Sequence, residues 1–223
     1  MSQYPIILLF SGGIDSFVAW HYLNKPKTVY FNLRSRYSEK ELQVIKSINP
    51  EIIIDESLNL NDREIGEKAY IPFRNLLLAA QAVKYSDTVV IAGVKDDVVS
   101  DKNELIFQET SDILSKLEGR EILVMSPFWR MTKEQVVKWF LSNGGTEQEI
   151  LSTVSCYDPD PNVTYCGNCP SCFRKWNALR SNGIDIKFYN ERLMREYYNK
   201  AIDRIYIPER NLSIIREIDA YHG

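Results

Sequence analysis

The chain has 223 residues, of which 44% are hydrophobic and 26% are charged, and its formal net charge is −3. This balance fits one globular α/β domain with a small appended lobe, and it excludes the strongly basic proteins that bind polyanions over a whole face. No apolar run is long enough to cross a membrane, and the run near the N-terminus is too short for a signal peptide. We therefore expect a cytoplasmic protein with reduced thiols and no membrane partner.

The first predicted element is a buried strand formed by five apolar residues, Ile6–Phe10. It runs directly into Ser11-Gly12-Gly13-Ile14-Asp15-Ser16, after which apolar residues recur at helical intervals. Glycines allow backbone angles closed to other residues and remove side chains that would keep a ligand away. Free N–H groups at the helix start, together with the helix dipole, favour an anion. Phosphate is the expected occupant of this loop.

The remaining elements alternate between strand and helix, which predicts a parallel sheet with helices on both faces. Strands are predicted at Lys27–Leu33, Glu51–Asp55, Thr88–Gly93 and Glu121–Met125. Helices are predicted at Ser38–Ile48 with Ser38 as N-cap, at Ile71–Tyr85, from residue 104 to 117, and at Glu134–Leu141 after the N-cap Thr132. The segment Asn59–Tyr70 is predicted to be a loop or short helix.

The second of these helices, Ile71–Tyr85, is predicted to carry Pro72 near its first turn. Its sheet-facing side chains are expected to be Leu76, Leu77, Ala80 and Val83.

Ligands of open α/β sheets lie beyond the carboxyl ends of the strands. This rule gathers four segments around one crevice: Ser11–Ser16, Asn32–Tyr37, Arg74–Asn75 and Lys95–Asn103.

All four cysteines lie close together in the sequence, at Cys156, Cys166, Cys169 and Cys172. Two overlapping Cys-x-x-Cys turns and one upstream thiol can enclose zinc tetrahedrally. A redox pair and an iron–sulfur cluster stay open as alternatives. Four thiolates leave no vacant coordination position, so we expect a structural zinc that braces a lobe far from the first loop. A helix from about Phe173 to Ser181 follows the cysteines.

The loop Ser11–Ser16 resembles the Ser-Gly-Gly-x-Asp-Ser loop of the PP-loop ATP pyrophosphatases, and it matches neither the Walker nor the dinucleotide-binding pattern. The resemblance implies an enzyme that splits ATP between its α and β phosphates and places AMP on a substrate oxygen. It implies a Rossmann-like five-stranded parallel sheet of the adenine nucleotide alpha hydrolase-like (HUP) type with a small C-terminal zinc-binding helical lobe. The alternative is an ordinary strand-to-helix turn that contains two glycines.

Loop and cysteines together resemble the 7-cyano-7-deazaguanine synthase family over about residues 5–186. Pro72-Phe73-Arg74-Asn75 is similar to the Pro-Gly-Arg-Asn segment of that family. Thr153–Tyr157 with the three later cysteines is similar to its zinc signature, and Asn182–Asp185 fits its ending. The expected domains are 1–150, an ATP-binding α/β domain, and 151–223, a four-cysteine zinc lobe with a helical tail.

The resemblance implies a ligase of queuosine biosynthesis that forms C–N bonds. The carboxylate of 7-carboxy-7-deazaguanine would be adenylated and attacked by ammonia to give an amide, which a second adenylation would turn into the nitrile. The implied cofactors are structural Zn²⁺ and Mg²⁺, with ATP as co-substrate. Small molecules are the expected partners, without a stable nucleic-acid contact, and a homodimer is left open.

ATP and a carboxylate must approach each other, and two such anions about 4 Å apart repel by about 4 kcal/mol at an effective dielectric near 20. Mg²⁺ and basic residues of the crevice are expected to offset this repulsion, the candidates being Arg34, Arg36, Arg74, Lys95 and Lys102. Asp97 and Asp101 are candidate metal or substrate contacts.

Site residues are assigned from the crevice and the resemblance together. We expect catalytic roles for Asp15, Ser16, Arg74 and Lys102. Contacts to nucleotide, Mg²⁺ or substrate are expected from Phe10, Ser11, Gly12, Gly13, Ile14, Asp15, Ser16, Phe17, Asn32, Arg36, Asn75, Gly93 and Asp97. The four cysteines are the expected zinc ligands.

Two segments depart from the family pattern. Asn32–Tyr37 stands where the family has Asp-Tyr-Gly-Gln-Arg-His, with only Arg36 in common, and Val99–Glu104 stands where it has a Tyr-Pro-Asp-Cys-Arg segment. The alternatives are therefore another PP-loop ligase, acting on a different deazapurine acid or a tRNA base, and a zinc-ribbon module that binds nucleic acid through Arg174, Lys175 and Arg180. The tail Phe188–Gly223 is expected to cover the crevice, join an oligomer or form a solvated helix.

Overall fold

One sheet of five parallel strands organises the fold. The computed structural model describes residues 4–65, 70–95, 97, 99–160, 162–167 and 169–186, so the predicted tail Phe188–Gly223 lies outside the described residues. The strands are β1 (Ile7–Leu9), β2 (Lys27–Phe31), β3 (Ile53–Asp55), β4 (Thr88–Ile91) and β5 (Leu123–Met125). Their order is β3-β2-β1-β4-β5, and all neighbouring strands are parallel. The predicted five-stranded parallel sheet is confirmed.

Seven helices connect or follow these strands in the described part of the chain. They are α1 (Ile14–Tyr22), α2 (Ser38–Ile48), α3 (Arg74–Ala82), α4 (Glu104–Glu118), α5 (Lys133–Ser142), α6 (Glu147–Ser152) and α7 (Pro170–Arg180). A short 3₁₀ helix, Asn61–Arg63, lies within the segment predicted to be a loop or short helix. None of the described helices combines the length and the apolar character that crossing a membrane requires.

The strands are continuous apolar runs in the sequence because their side chains are buried on both faces of the sheet. Leu8 and Phe10 point into a core that the apolar side chains of α1, α2, α5 and α7 complete. Ile7 and Leu9 point into a second core with side chains of α3 and α4. The first core continues into the cysteine-containing segment, and α5 packs against both α1 and α7. Because this core contains residues from both sides of position 150, the predicted domain boundary at residue 150 stays a prediction.

Side-chain caps start helices α5, α6 and α7, and of these three caps the sequence predicted only Thr132. Thr132 caps α5 as predicted, in a reciprocal capping box with Gln135. Thr146 forms a second capping box with Glu149 and starts α6, which the sequence analysis missed. The last helix starts at Pro170, three residues before the predicted Phe173, because the Cys169 sulfur accepts the Cys172 N–H at 3.4 Å and acts as the cap.

The predicted sheet-facing side of α3 is confirmed for Val83 and Leu77, which pack in the second core, and is wrong for Leu76 and Ala80. Asn75, Ala79, Ala82 and Val83 are the buried positions, whereas Leu76 and Ala80 are exposed. The backbone N–H and the side-chain amide of Asn75 both donate to the Asp101 carboxylate at 3.0 Å, which turns this polar residue inward. Apolar periodicity alone misplaced Leu76 and Ala80, because the polar residue Asn75 occupies the buried face.

Phe73 and Arg34 have left-handed backbone angles. Each stands where the family motif quoted above has a glycine. Phe73, with φ of 57°, precedes α3 and excludes Pro72 from the helix, and Arg34 has φ of 58°. For a residue with a Cβ this conformation costs about 1–2 kcal/mol. The Phe73 side chain is 67% exposed, so packing offsets little of this cost.

Phe73→Gly should therefore stabilise the protein. Relief of the left-handed strain outweighs the added freedom of glycine in the unfolded chain, and the expected gain is about 0.5–1 kcal/mol. Urea unfolding measures the difference. Phe73→Ala is the control, since it removes the ring and keeps the strain; an equal gain in both variants would contradict the explanation.

Candidate active site

The described residues enclose a cavity of about 240 Å³ beyond the carboxyl ends of β1, β2 and β4. Its walls come from the loop Ser11–Ser16, the start of α3, the start of α5 and the cysteine-containing segment. The position matches the switch point of an open parallel sheet, where neighbouring connections leave β1 in opposite directions. The crevice predicted from the sequence is therefore present.

The loop Ser11–Ser16 holds its shape through the two serines that flank its glycines. Ser16 Oγ accepts the Ser11 N–H at 3.2 Å and donates to the Gly13 carbonyl at 3.1 Å. Gly12 has φ of 74°, and a Cβ there would come within 2.8 Å of the Ile45 side chain. Gly13 precedes α1 without a side-chain cap, so the first N–H groups of the helix face the cavity end and favour an anion.

The segment Thr153–Cys156 packs directly against this loop. The Val154 N–H donates to the Gly12 carbonyl at 2.9 Å, and a Cβ at Gly13 would lie 2.9 Å from Ser155 Oγ. Val154, Ser155 and Tyr157 line the cavity. The prediction of a cysteine lobe far from the loop was therefore wrong: the sequence separation of about 140 residues hides a direct contact.

Asp15 forms an ion pair with Lys133, a residue that the sequence analysis missed. Lys133 Nζ lies 2.6 Å from Oδ1 of Asp15, and both side chains line the cavity. Lys133 is the first residue of α5, directly after the predicted cap Thr132, and no motif marks it. The pair places one negative and one positive group beside the anion-favouring loop.

A second charged group lies on the β4 side of the cavity. Lys102 Nζ is 2.9 Å from Oδ2 of Asp97, and the Val94 N–H donates to the same carboxylate. Burial alone would raise the pKa of Asp97, but the charges of Lys102 and Lys133 hold it below its usual value. Asp101 is engaged by Asn75. The structure thus brings Asp97, Lys102 and Asn75 to the cavity wall.

Arg74 directs its charge toward the β2 side of the cavity. Among the described residues, no side chain or carbonyl accepts a hydrogen bond from its guanidinium. Burial would lower its pKa, but Tyr37, Tyr157, Glu41 and Asp101 raise it, so the group stays charged. A positive group with open donors in a cavity is a receptor for a carboxylate or phosphate.

Glu41 lies beside Arg74 and was also missed by the sequence analysis. The Tyr30 hydroxyl donates to its Oε2 at 2.7 Å. Burial raises the pKa of Glu41 to about 7, against the opposing effects of the Tyr30 hydrogen bond and the Arg74 charge. The rings of Tyr37 and Tyr157 lie 5.4 Å apart at the same end.

The four cysteine sulfurs all lie within 4.8 Å of one another, and none forms a disulfide. Zinc–sulfur bonds of about 2.3 Å in a tetrahedron require sulfur–sulfur separations of about 3.8 Å. The Cys166–Cys172 separation is 3.9 Å. Cys156 Sγ also accepts the N–H groups of Asp158 and Cys166 at 3.4 Å. The donor set and its spacing fit a closed four-thiolate metal site.

Two buried lysines fasten the cysteine-containing segment to its surroundings. Lys175 donates to the carbonyl and, at 2.8 Å, to the hydroxyl of Thr153, and to the Tyr165 hydroxyl at 2.6 Å. Burial lowers the pKa of Lys175 well below its usual value. Lys40 of α2 donates to the carbonyls of Asp158 and Val163 at 2.7 and 2.6 Å.

The three basic residues of the nucleic-acid alternative lie in different surroundings. Lys175 is buried, Arg180 pairs with Asp185 at 2.6 Å, and Arg174 lines the cavity.

The predicted site residues divide into two groups. The cavity wall contains Phe10, Ser11, Gly13, Ile14, Asp15, Ser16, Arg74, Asn75, Asp97 and Lys102. Gly12, Phe17, Asn32, Arg36 and Gly93 lie outside it. Phe17 packs against Phe140, Arg36 pairs with Glu64 at 2.9 Å, and Gly93 lies against the Trp129 ring. Asn32 donates to Glu56 at 3.3 Å.

Replacing Glu41 by glutamine should stabilise the protein at alkaline pH. The folded-state pKa of about 7 exceeds the unfolded value, so the favourable effect of the protonated form is complete below about pH 4.3 and is lost as the pH rises through 7. Near pH 8 the Glu41→Gln variant should be about 1–2 kcal/mol more stable than the original chain, and near pH 5 the difference should be small.

Urea unfolding at both pH values measures this difference. Glu39→Gln, on the exposed side of the same helix, is the control. A pH-independent difference for Glu41→Gln would contradict an enclosed carboxyl.

Comparison with known proteins identifies the family of this chain. Residues 5–183 match the model of the family described as queuosine biosynthesis protein QueC. A 7-cyano-7-deazaguanine synthase from Rickettsia felis is 30% identical over 128 residues, 52% of this chain and 54% of the relative. One from Rickettsia akari is 28% identical over 130 residues, 52% of this chain and 55% of the relative. The chain thus spans about half the length of the curated relatives it matches.

Among solved structures, the U34-tRNA thiolase NcsA from Methanococcus maripaludis, with its 4Fe–4S cluster, matches at a TM-score of 0.41 and 13% identity. That match covers 99% of this chain and 73% of the thiolase. The family model spans most of the chain, and its match includes both the glycine loop and the four cysteines. The chain belongs to the QueC family.

Proposed function

We propose that this chain is an ATP-dependent ligase that converts 7-carboxy-7-deazaguanine and ammonia into 7-cyano-7-deazaguanine. Family membership and the names of the relatives support this substrate. The observation that carries the proposal is the cavity itself. Its wall holds an anion-favouring helix start together with Arg74, a guanidinium whose donors are open among the described residues. A carboxylate and a triphosphate would meet between them.

The loop Ser11–Ser16 and Lys133 form the phosphate end of the proposed site. The backbone N–H groups at the start of α1 and the Lys133 ammonium would bind phosphate oxygens. Asp15 and Asp97 are the carboxylates that would hold Mg²⁺, which supplies charge neutralisation on the phosphates when bound. Lys102 orients Asp97, and Lys133 orients Asp15, through the ion pairs described above.

Arg74 forms the acceptor end of the proposed site. Its guanidinium would hold the substrate carboxylate against the α-phosphorus of ATP, so that one carboxylate oxygen attacks and pyrophosphate leaves. Ammonia then displaces AMP and gives the amide. The amide oxygen attacks a second ATP, and departure of AMP with two protons leaves the nitrile. Both oxygens of the acid leave on AMP, so the atoms balance.

Neither step requires a histidine. His21 is half-buried and packs against the rings of Phe17, Trp20 and Phe140. The positive charge that the reaction needs comes from Arg74, Lys133 and the loop N–H groups.

We also propose that zinc occupies the four-cysteine site and that the protein works in the cytoplasm, where thiols stay reduced. Four thiolates fill the coordination sphere, so the metal would be structural. Because Thr153–Cys156 supplies both a ligand and the Val154 contact to Gly12, the metal would also hold the phosphate loop in place.

Incubation with ATP, Mg²⁺, ammonia and 7-carboxy-7-deazaguanine should release AMP and yield the nitrile, identified by mass spectrometry. Asp15→Asn should lower AMP release by about 10²-fold or more, because it removes a charge that organises Lys133 and the metal. Asp112→Asn, on the exposed face of α4, is the matched control.

Absence of ATP consumption by the metal-loaded protein with this acid would overturn the proposal. AMP release that requires added RNA would instead favour a ligase acting on a tRNA base. Full activity of the Asp15→Asn variant would contradict the role proposed for Asp15.

Removal of the metal should disorder residues 153–180 before the sheet and should also abolish ATP turnover. Zinc binding contributes about 10–16 kcal/mol in small zinc peptides, comparable to the stability of a whole domain. Hydrogen exchange with and without chelator measures the order of unfolding, and elemental analysis identifies the metal. Readdition of Zn²⁺ should restore both properties; Cys169→Ser should not be rescued. Retained ATP turnover in metal-free protein would contradict the coupling between lobe and loop.

A further inference from the structure

We propose that Glu41 determines base specificity, its carboxylate accepting hydrogen bonds from the ring N–H and the adjacent amino group of a guanine-type base. This inference rests on the proposed function for the identity of the substrate, and it adds the residue that reads the base. Nothing in the chain's motifs marks Glu41, which lies in the first turn of the charged helix α2.

The first argument concerns Oε1 of Glu41, an acceptor atom that receives no hydrogen bond from the described residues. Glu41 lines the cavity, and the Tyr30 hydroxyl donates to its Oε2 at 2.7 Å. Among the described residues, no donor binds Oε1. Because Glu41 lines the cavity, its carboxylate has acceptor capacity to offer to the N–H groups of a ligand there.

The second argument is the shape of the donor set that a carboxylate matches. Two parallel N–H donors on neighbouring atoms bind the two oxygens of a carboxylate side by side. A guanine-type base presents such a pair, its ring N–H and its 2-amino group. A hypoxanthine-type base presents only the ring N–H. Tyr30 occupies one lone pair of Oε2 and leaves the other available.

The third argument is the surroundings of Glu41. The Tyr37 and Tyr157 rings, 5.4 Å apart, lie at the same end of the cavity as Arg74. Phe31, Leu33 and Leu78 add apolar wall. A planar base would contact these apolar and aromatic surfaces while its polar edge meets Glu41 and its carboxylate meets Arg74.

The groups that face Glu41 are Tyr30 from β2, Tyr37 at the N-terminal end of α2 and Arg74 from α3. Burial raises the pKa of the Glu41 carboxyl to about 7, and Arg74 partly opposes this rise. Bound N–H donors would favour the ionised form further. Retaining an enclosed acid without a full set of donors is unfavourable for stability and is consistent with a binding role.

Direct binding tests the inference without turnover. Calorimetry on the metal-loaded protein measures the Kd values of 7-deazaguanine and 7-deazahypoxanthine, which differ in the 2-amino group. The original chain should bind 7-deazaguanine about 10- to 100-fold more tightly. Glu41→Gln should reduce this ratio to about 1, because the glutamine amide opposes the 2-amino group. Glu39→Gln should keep the original ratio.

A second readout separates specificity from general damage. With 7-carboxy-7-deazaguanine, Glu41→Gln should raise KM by a similar factor and leave kcat within about threefold, and thermal melting should confirm that it folds. Equal binding of the two bases by the original chain, no binding of either, or an equal loss for both in Glu41→Gln would overturn the inference. If the bases are discriminated but no ATP is consumed with the acid, the proposed reaction fails and the role of Glu41 stands.

Discussion

The hydrogen bond from the Val154 N–H to the Gly12 carbonyl joins the two parts of the molecule that the sequence presents as separate. One partner belongs to the loop after β1, and the other precedes the first cysteine. Because Lys175 binds Thr153 from the other side, this short segment is fixed between the cysteine lobe and the loop Ser11–Ser16. The cavity depends on that contact, since both parts contribute wall residues.

Charge distribution in the cavity follows from this assembly. Acidic and basic groups are paired at the end of the cavity beside the loop Ser11–Ser16, as Asp15 with Lys133 and Asp97 with Lys102. The opposite end holds Arg74 and Glu41 among tyrosines. A ligand that carries one anionic group and one edge of donors would meet complementary partners at both of these positions, which is the chemistry expected of an acidic deazapurine.

The fold was largely predictable because its signals are local. Apolar runs located all five strands, and glycine and cysteine spacing located the loop and the cluster of four cysteine sulfurs. The site was only partly predictable, because its pairs join distant positions. Lys133 meets Asp15 across 118 residues, and Lys175 meets Thr153 across 22. Neither spacing follows a helical or strand period. The prediction for Leu76 and Ala80 of α3 was wrong for a related reason, since Asp101 draws Asn75 inward.

Lys40 ties α2 to the loop between the first two cysteines through the carbonyls of Asp158 and Val163. The next residue on that helix is Glu41. Within the described part of the chain these two carbonyls are the acceptors of the buried Lys40 side chain, which keeps its position only while they keep theirs. The position of the cysteine-containing loop and the position of α2, the helix that would recognise the base, therefore depend on each other. Loss of the proposed metal would then change substrate selection as well as nucleotide binding.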